Sequence, residues 1–168
     1  MSSMSAGSRT RVKFFTTTHR LMGEVETGPR PLSDLLNDRS QSYLLAFDVQ
    51  VSHVSKPGEI TARAPVAYVA KDNLSFVIVS AREIRSPDRS RFTVVEYPVV
   101  VTLPRFEVTG KFVGPHRLDL RTFTPATLDP FVALTEATAR IAGQPEMTFG
   151  GEAILVNRAR LESLCLLE

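Results

Sequence analysis

"EAILVNRARLESLCL", residues 152–166, stands near the end of a 168-residue chain, and "PVAYVAKDNLSFVIV", residues 65–79, carries the same pattern. At an offset of 87, Val69 falls on Val156, Lys71 on Arg158, Leu74 on Leu161, Val77 on Leu164 and Val79 on Leu166. The same offset runs upstream, setting Phe14 on Val101, Leu21 on Val108, Leu44 on Phe131, Phe47 on Leu134 and Val54 on Ile141. It also superposes Gly23 of "RLMGEV" on Gly110 of "EVTGKF". Only Leu32 and Leu118 slip, to an offset of 86, as expected where a loop has changed length by one residue. Self-similarity at a fixed spacing is the mark of a repeat, so the sequence predicts a chain built by tandem duplication.

Each half has the same plan. "RVKFFTTTHRLMGEVET" reads as one bent strand or two joined ones, with Gly23 at a bend or bulge. "GPRPLSDLLND" is a loop with a single helical turn at most. In "SYLLAFDVQVSHV", Leu45, Phe47, Val49 and Val51 alternate with Ala46, Asp48 and Gln50, the period of a half-buried strand. "KPGE" supplies a turn, and "APVAYVAKDNLSFVIV" gives two strands joined by the tight polar turn "AKDN". One segment conflicts with this plan. "LDPFVALTEATARIAG" has helical signals: Asp129 as a cap, Pro130 at the first position, Phe131, Leu134, Thr138 and Ile141 on one face, and Gly143 as a stop. Its partner in the first half is a Val-rich strand, and tertiary context overrides propensity, so a strand is expected here too.

Composition narrows the function. Twenty basic against 18 acidic residues give a net charge of +2, too even for a dedicated DNA binder. The single cysteine, Cys165, excludes an intrachain disulfide and a cysteine-based zinc cluster; between Leu164 and Leu166 it is expected to be a small buried or half-buried hydrophobe. The start, "MSSMSAGSRTR", has no apolar stretch of the kind a signal peptide carries, and no run is long enough for a membrane span. The expected protein is soluble and cytoplasmic. Its organisation is a flexible N-terminus (1–11), a first small β-barrel (12–80), a linker (81–92) and a second small β-barrel (93–168), all-β with little helix.

A bend glycine in the second strand, a strand such as "FVALTEATARI" and then "AILVNRARLESL", where a short turn joins two apolar strands, resembles the Sm-like (Hfq-type) family of small β-barrels. The matching turns are Val69–Leu74 and Val156–Leu161; the frame is kept, while the family's Arg-Gly signature is absent from both. In the loop where that family places an Asp and an Asn for RNA, this chain has Asp34 and Asn37 in its first half and "RLDLRTFTPATLD" in its second. An SH3-like barrel fits the same pattern. The chain is also similar to uncharacterised bacterial proteins built from paired domains of this kind. The resemblance implies association into rings through edge strands, three two-domain chains making a pseudo-six-fold ring, and RNA or single-stranded nucleic acid as a ligand.

Catalytic chemistry has no sequence candidate. His19, His53 and His116 stand apart without metal-ligand spacing, and no nucleophile elbow, Walker loop or dinucleotide fingerprint occurs. Asp34, Asp38, Asp119 and Asp129 sit in loops where carboxylates cap turns. Arg85 and Arg89 share the Arg-x-x-x-Arg spacing of cyclic-di-GMP-binding PilZ barrels, but that family's Asp/Asn-x-Ser-x-x-Gly stretch does not follow, so "AREIRSPDRSRF" reads as a solvated linker. No cofactor and no metal are expected. The expected function is a non-catalytic structural or protein-interaction module, partnered by itself through edge strands or by another protein. The alternative is an RNA or single-stranded nucleic acid binder with an Sm-like surface. For either, the candidate contacts are Lys71, Asn73, Arg158 and Arg160 at the two turns and Arg82, Arg85, Arg89 and Arg91 in the linker, with Tyr43 or Phe92 to stack on bases.

Overall fold

The computed structural model describes residues 8–85, 94–124 and 128–168. In the first half, β1 (Arg9–Phe15) and β2 (His19–Glu26) form a hairpin, followed by α1 (Leu32–Asn37), β3 (Tyr43–His53), β4 (Lys56–Ala70), a 3-10 turn at Lys71–Asn73 and β5 (Phe76–Val79). After a 3-10 turn at Ala81–Glu83 come β6 (Val94–Leu103), β7 (Phe106–Pro115), a turn at Leu120–Thr122, β8 (Phe131–Ile141), β9 (Gln144–Gly150), β10 (Ala153–Asn157), a turn at Arg158–Arg160 and β11 (Ser163–Leu166). The turns 71–73 and 158–160, and the strands 76–79 and 163–166, keep the offset of 87 residues. The fold is all-β. Among the described residues, eleven strands make one antiparallel sheet in the order β11-β6-β7-β8-β10-β5-β1-β2-β3-β4, with β9 on β8, and that sheet is not closed.

The segment with conflicting signals is strand β8. Five pairs to β10 and further pairs to β7 and β9 outweigh its local helical features. Both bend glycines sit at irregularities of register: two steps on β2 around Gly23 face three on β3, and two on β7 around Gly110 face three on β8. The extra residues fall at Asp48 and Glu136, both with positive φ. Each glycine is required by closeness, since a Cβ on Gly23 would stand 3.0 Å from the Phe47 carbonyl oxygen and one on Gly110 2.9 Å from the Ala137 Cβ.

Those bulges correct one expectation. A bulge exchanges the faces of a strand, so β3 buries Leu44 and Ala46 before Asp48 and Val49 after it, and Leu45 faces outward. Three boundaries also differ. β1 begins at Arg9, inside the stretch expected to be tail. The β3–β4 turn lies at Val54 and Ser55, ahead of "KPGE"; Pro57 and Gly58 instead bulge from the start of β4, an end strand where a missing N–H breaks no second ladder. Residues 81–85 pack instead of floating: Glu83 is buried, its carboxylate accepts from the Leu32 amide at the start of α1, and Ile84 lies on the core. Arg89 and Arg91, like Phe92, lie outside the described residues.

The interior forms two apolar clusters that do not divide at residues 81–92. One gathers Val12, Phe14, Leu32, Leu36 and Leu44 from the first half but also Phe131, Ala153 and Leu155; the other gathers Val99, Phe106 and Ile141 from the second half but also Phe15, Phe76 and Ile78. Strands β5 and β10 pair at the middle of the sheet and are buried on both faces, which explains why "FVIV" and "AILV" are unbroken apolar runs. Val77, Val79, Ala153 and Leu155 serve one cluster, while Phe76, Ile78, Ile154 and Val156 serve the other. Phe76 stacks on Phe15 at 4.5 Å between ring centroids and meets Phe106 edge-on at 5.0 Å. No helix among the described residues is long and apolar enough to cross a membrane.

Candidate functional site

The candidate cations at the two turns hold the fold together. Lys71 is buried, with its ammonium donating to the Leu35 and Asp38 carbonyls at 2.5 and 3.1 Å, where they close the end of α1. Burial pushes its pKa down, against the opposing pull of Asp38 and Asp72. Its repeat partner Arg158 makes the corresponding contact, donating to the Leu128 carbonyl in the loop before β8 at 2.5 Å. Arg160 donates to the Asp72 carbonyl and to Asn73 Oδ1, tying the second turn to the first. Arg82 is exposed beside Glu83. Arg85 donates through Nε to Asp34 at 2.9 Å, and that carboxylate is held below its ordinary range first by this bond.

Asn157 is the residue at this junction that the sequence did not single out. Its Nδ2 donates to the Leu74 carbonyl at 2.8 Å and its Oδ1 accepts from the Ala159 amide at 3.1 Å. It is buried between the two turns, and its repeat partner Ala70 has no polar side chain to reveal the role by comparison. His19 and His53, expected to stand alone, face each other across β2 and β3 with ring centroids 5.8 Å apart. No group of three or more metal-ligating side chains occurs among the described residues. Between α1 and β8 lies a cleft of about 690 Å³ with an apolar floor that includes Phe112 and Leu155 and a rim of Arg30, Arg85, Asp34 and Asp129.

The two ends of the sheet differ from the rest of the surface. Among the described residues, strand β4 pairs only with β3, and β11 only with β6. The large exposed apolar side chains concentrate there: Leu45, Val66 and Tyr68 at one end, 45, 50 and 63% exposed, and Leu166 and Leu167 at the other, 39 and 48%. Tyr68 stacks on Tyr43, also at that end, at 4.7 Å. Cys165 is exposed on β11, correcting the expectation of a buried or half-buried side chain, because among the described residues this strand has a neighbour on one side only. From Ala64 to Ala70 no charge interrupts β4, and β11 has none, although charge is the common way to keep a free edge from pairing. No family model, no curated protein and no solved structure matches the chain.

Proposed function

We propose that the protein is a non-catalytic structural module made of two duplicated small barrels of the Sm-like or SH3-like kind, and that it works by assembling through the free ends of its sheet. The observation that carries this reading is the concentration of exposed apolar side chains on β4, its neighbour β3 and β11, where unpaired backbone groups are available as well. The duplication is supported by the common offset of turns and terminal strands. Assembly is favoured over nucleic acid as the main role because Lys71 is buried and Lys71, Arg158 and Arg160 direct donors to backbone carbonyls and Asn73, leaving fewer of those donors to meet phosphate. Light scattering tests it: a mass at a multiple of 18.6 kDa is expected, and a monomer across the concentration range rejects the reading.

A further inference from the structure

The chain contains one pairing that would serve as a template for the next. Strand β5, the last of the first half, pairs with β10 of the second half in the register Val79↔Ala153, Ile78↔Ile154, Val77↔Leu155 and Phe76↔Val156. At the offset of 87, β5 corresponds to β11, and β10 corresponds to the end of β4, Val66–Ala70. These two equivalents have no partner on their outer edges among the described residues. The contrast in burial is sharp: Leu155 is fully buried, and its equivalent Tyr68 is 63% exposed.

Resting on the assembly reading above, we infer that β11 of one copy adds to β4 of a second copy in the register of the internal junction. The pairs are then Leu166↔Val66, Cys165↔Ala67, Leu164↔Tyr68 and Ser163↔Val69. Several features support a second copy as the occupant. Both edges belong to the same molecule and are both apolar and uncharged, and the internal pair demonstrates that strands of this pattern fit in this register. Pro65 lacks an N–H and ends the pairable stretch just before Val66, at the position where β10 itself begins. Such a contact joins two different surfaces and is head-to-tail, so it propagates until the rotation per copy closes a ring.

The register gives a direct test, because Cys165 is the chain's one cysteine and directly opposed residues hold their Cβ atoms about 4.5–5.5 Å apart, near the span of a disulfide. Ala67→Cys in the full chain should give a ladder of disulfide-linked multimers under mild oxidation, whereas Thr61→Cys, two turns of the pleat or more away on the same strand, should stop at the dimers that Cys165 alone can form. Tyr68→Lys, at an exposed position that leaves the interior untouched, should reduce the light-scattering mass to that of one chain. Oligomers that persist without the Ala67→Cys ladder, or with an equal Thr61→Cys ladder, overturn the register while leaving assembly standing. A wild-type monomer overturns both.

Discussion

Replacing Asn157 with alanine removes a donor and an acceptor from a buried junction and strands the Leu74 carbonyl. An unsatisfied buried group costs about 1–3 kcal/mol, and urea unfolding should show a loss of that size. Asp34 makes a pH prediction. Its carboxylate is held below 3.8, the ordinary value, first by the hydrogen bond from Arg85. The contribution is complete above 3.8, where the carboxylate of the unfolded chain is also ionised, and drains away as pH falls through the lowered value. Asp34→Asn should therefore be less stable than wild type near neutral pH and converge with it at the acid end of a denaturant-versus-pH series. A difference that stays constant down to that end would show that the charge of Asp34 is not what Arg85 recognises. At this scale the sequence revealed little: Lys71 and Arg158 stood out as cations, but their carbonyl partners lie about 30 residues or more away in the chain, beyond any local pattern.

Single elements were more legible. Gly23 and Gly110 were readable as bends because each interrupts a strand pattern at the repeat spacing, and both sit where the register shifts. Gly110→Ala would drive a Cβ to within 3.1 Å of the Thr135 carbonyl oxygen and closer still to Ala137; overpacking of this kind costs about 1–3 kcal/mol. Gly58→Ala, where a Cβ meets nothing within 4 Å, should leave the melting temperature nearly unchanged. Calorimetry on the two variants makes the comparison, and equal melting temperatures would remove the close-approach explanation. The inner face of β3 is hidden from the sequence because Leu45, Phe47, Val49 and Val51 keep period two straight through Asp48, where the bulge falls. β8 is a strand despite its local helical pattern, and its Val-rich repeat partner in the first half is what makes that legible.

Across the whole molecule, the repeat predicted two halves of the same plan, but not that β5 and β10 would serve both interiors at once. Adjacent apolar residues in "FVIV" were visible, yet only the sheet order shows that the two faces belong to different clusters. This sharing predicts one cooperative thermal transition, with calorimetric and van't Hoff enthalpies equal; two resolved transitions would mean that the clusters unfold independently. Phe76→Ala, which empties the space between Phe15 and Phe106, should cost about 3–5 kcal/mol and lower that single transition without splitting it.

The strand pairing at the centre also bears on what a protease could do. A backbone cleavage between residues 86 and 93 would sever the covalent link between the halves, yet β5 and β10 would still bridge the two pieces through four backbone pairings and a shared set of aromatic rings. The two fragments should travel together in native separation and part only in denaturant. The same property makes this chain a natural split protein, whose pieces, produced separately and mixed, carry the means to find each other.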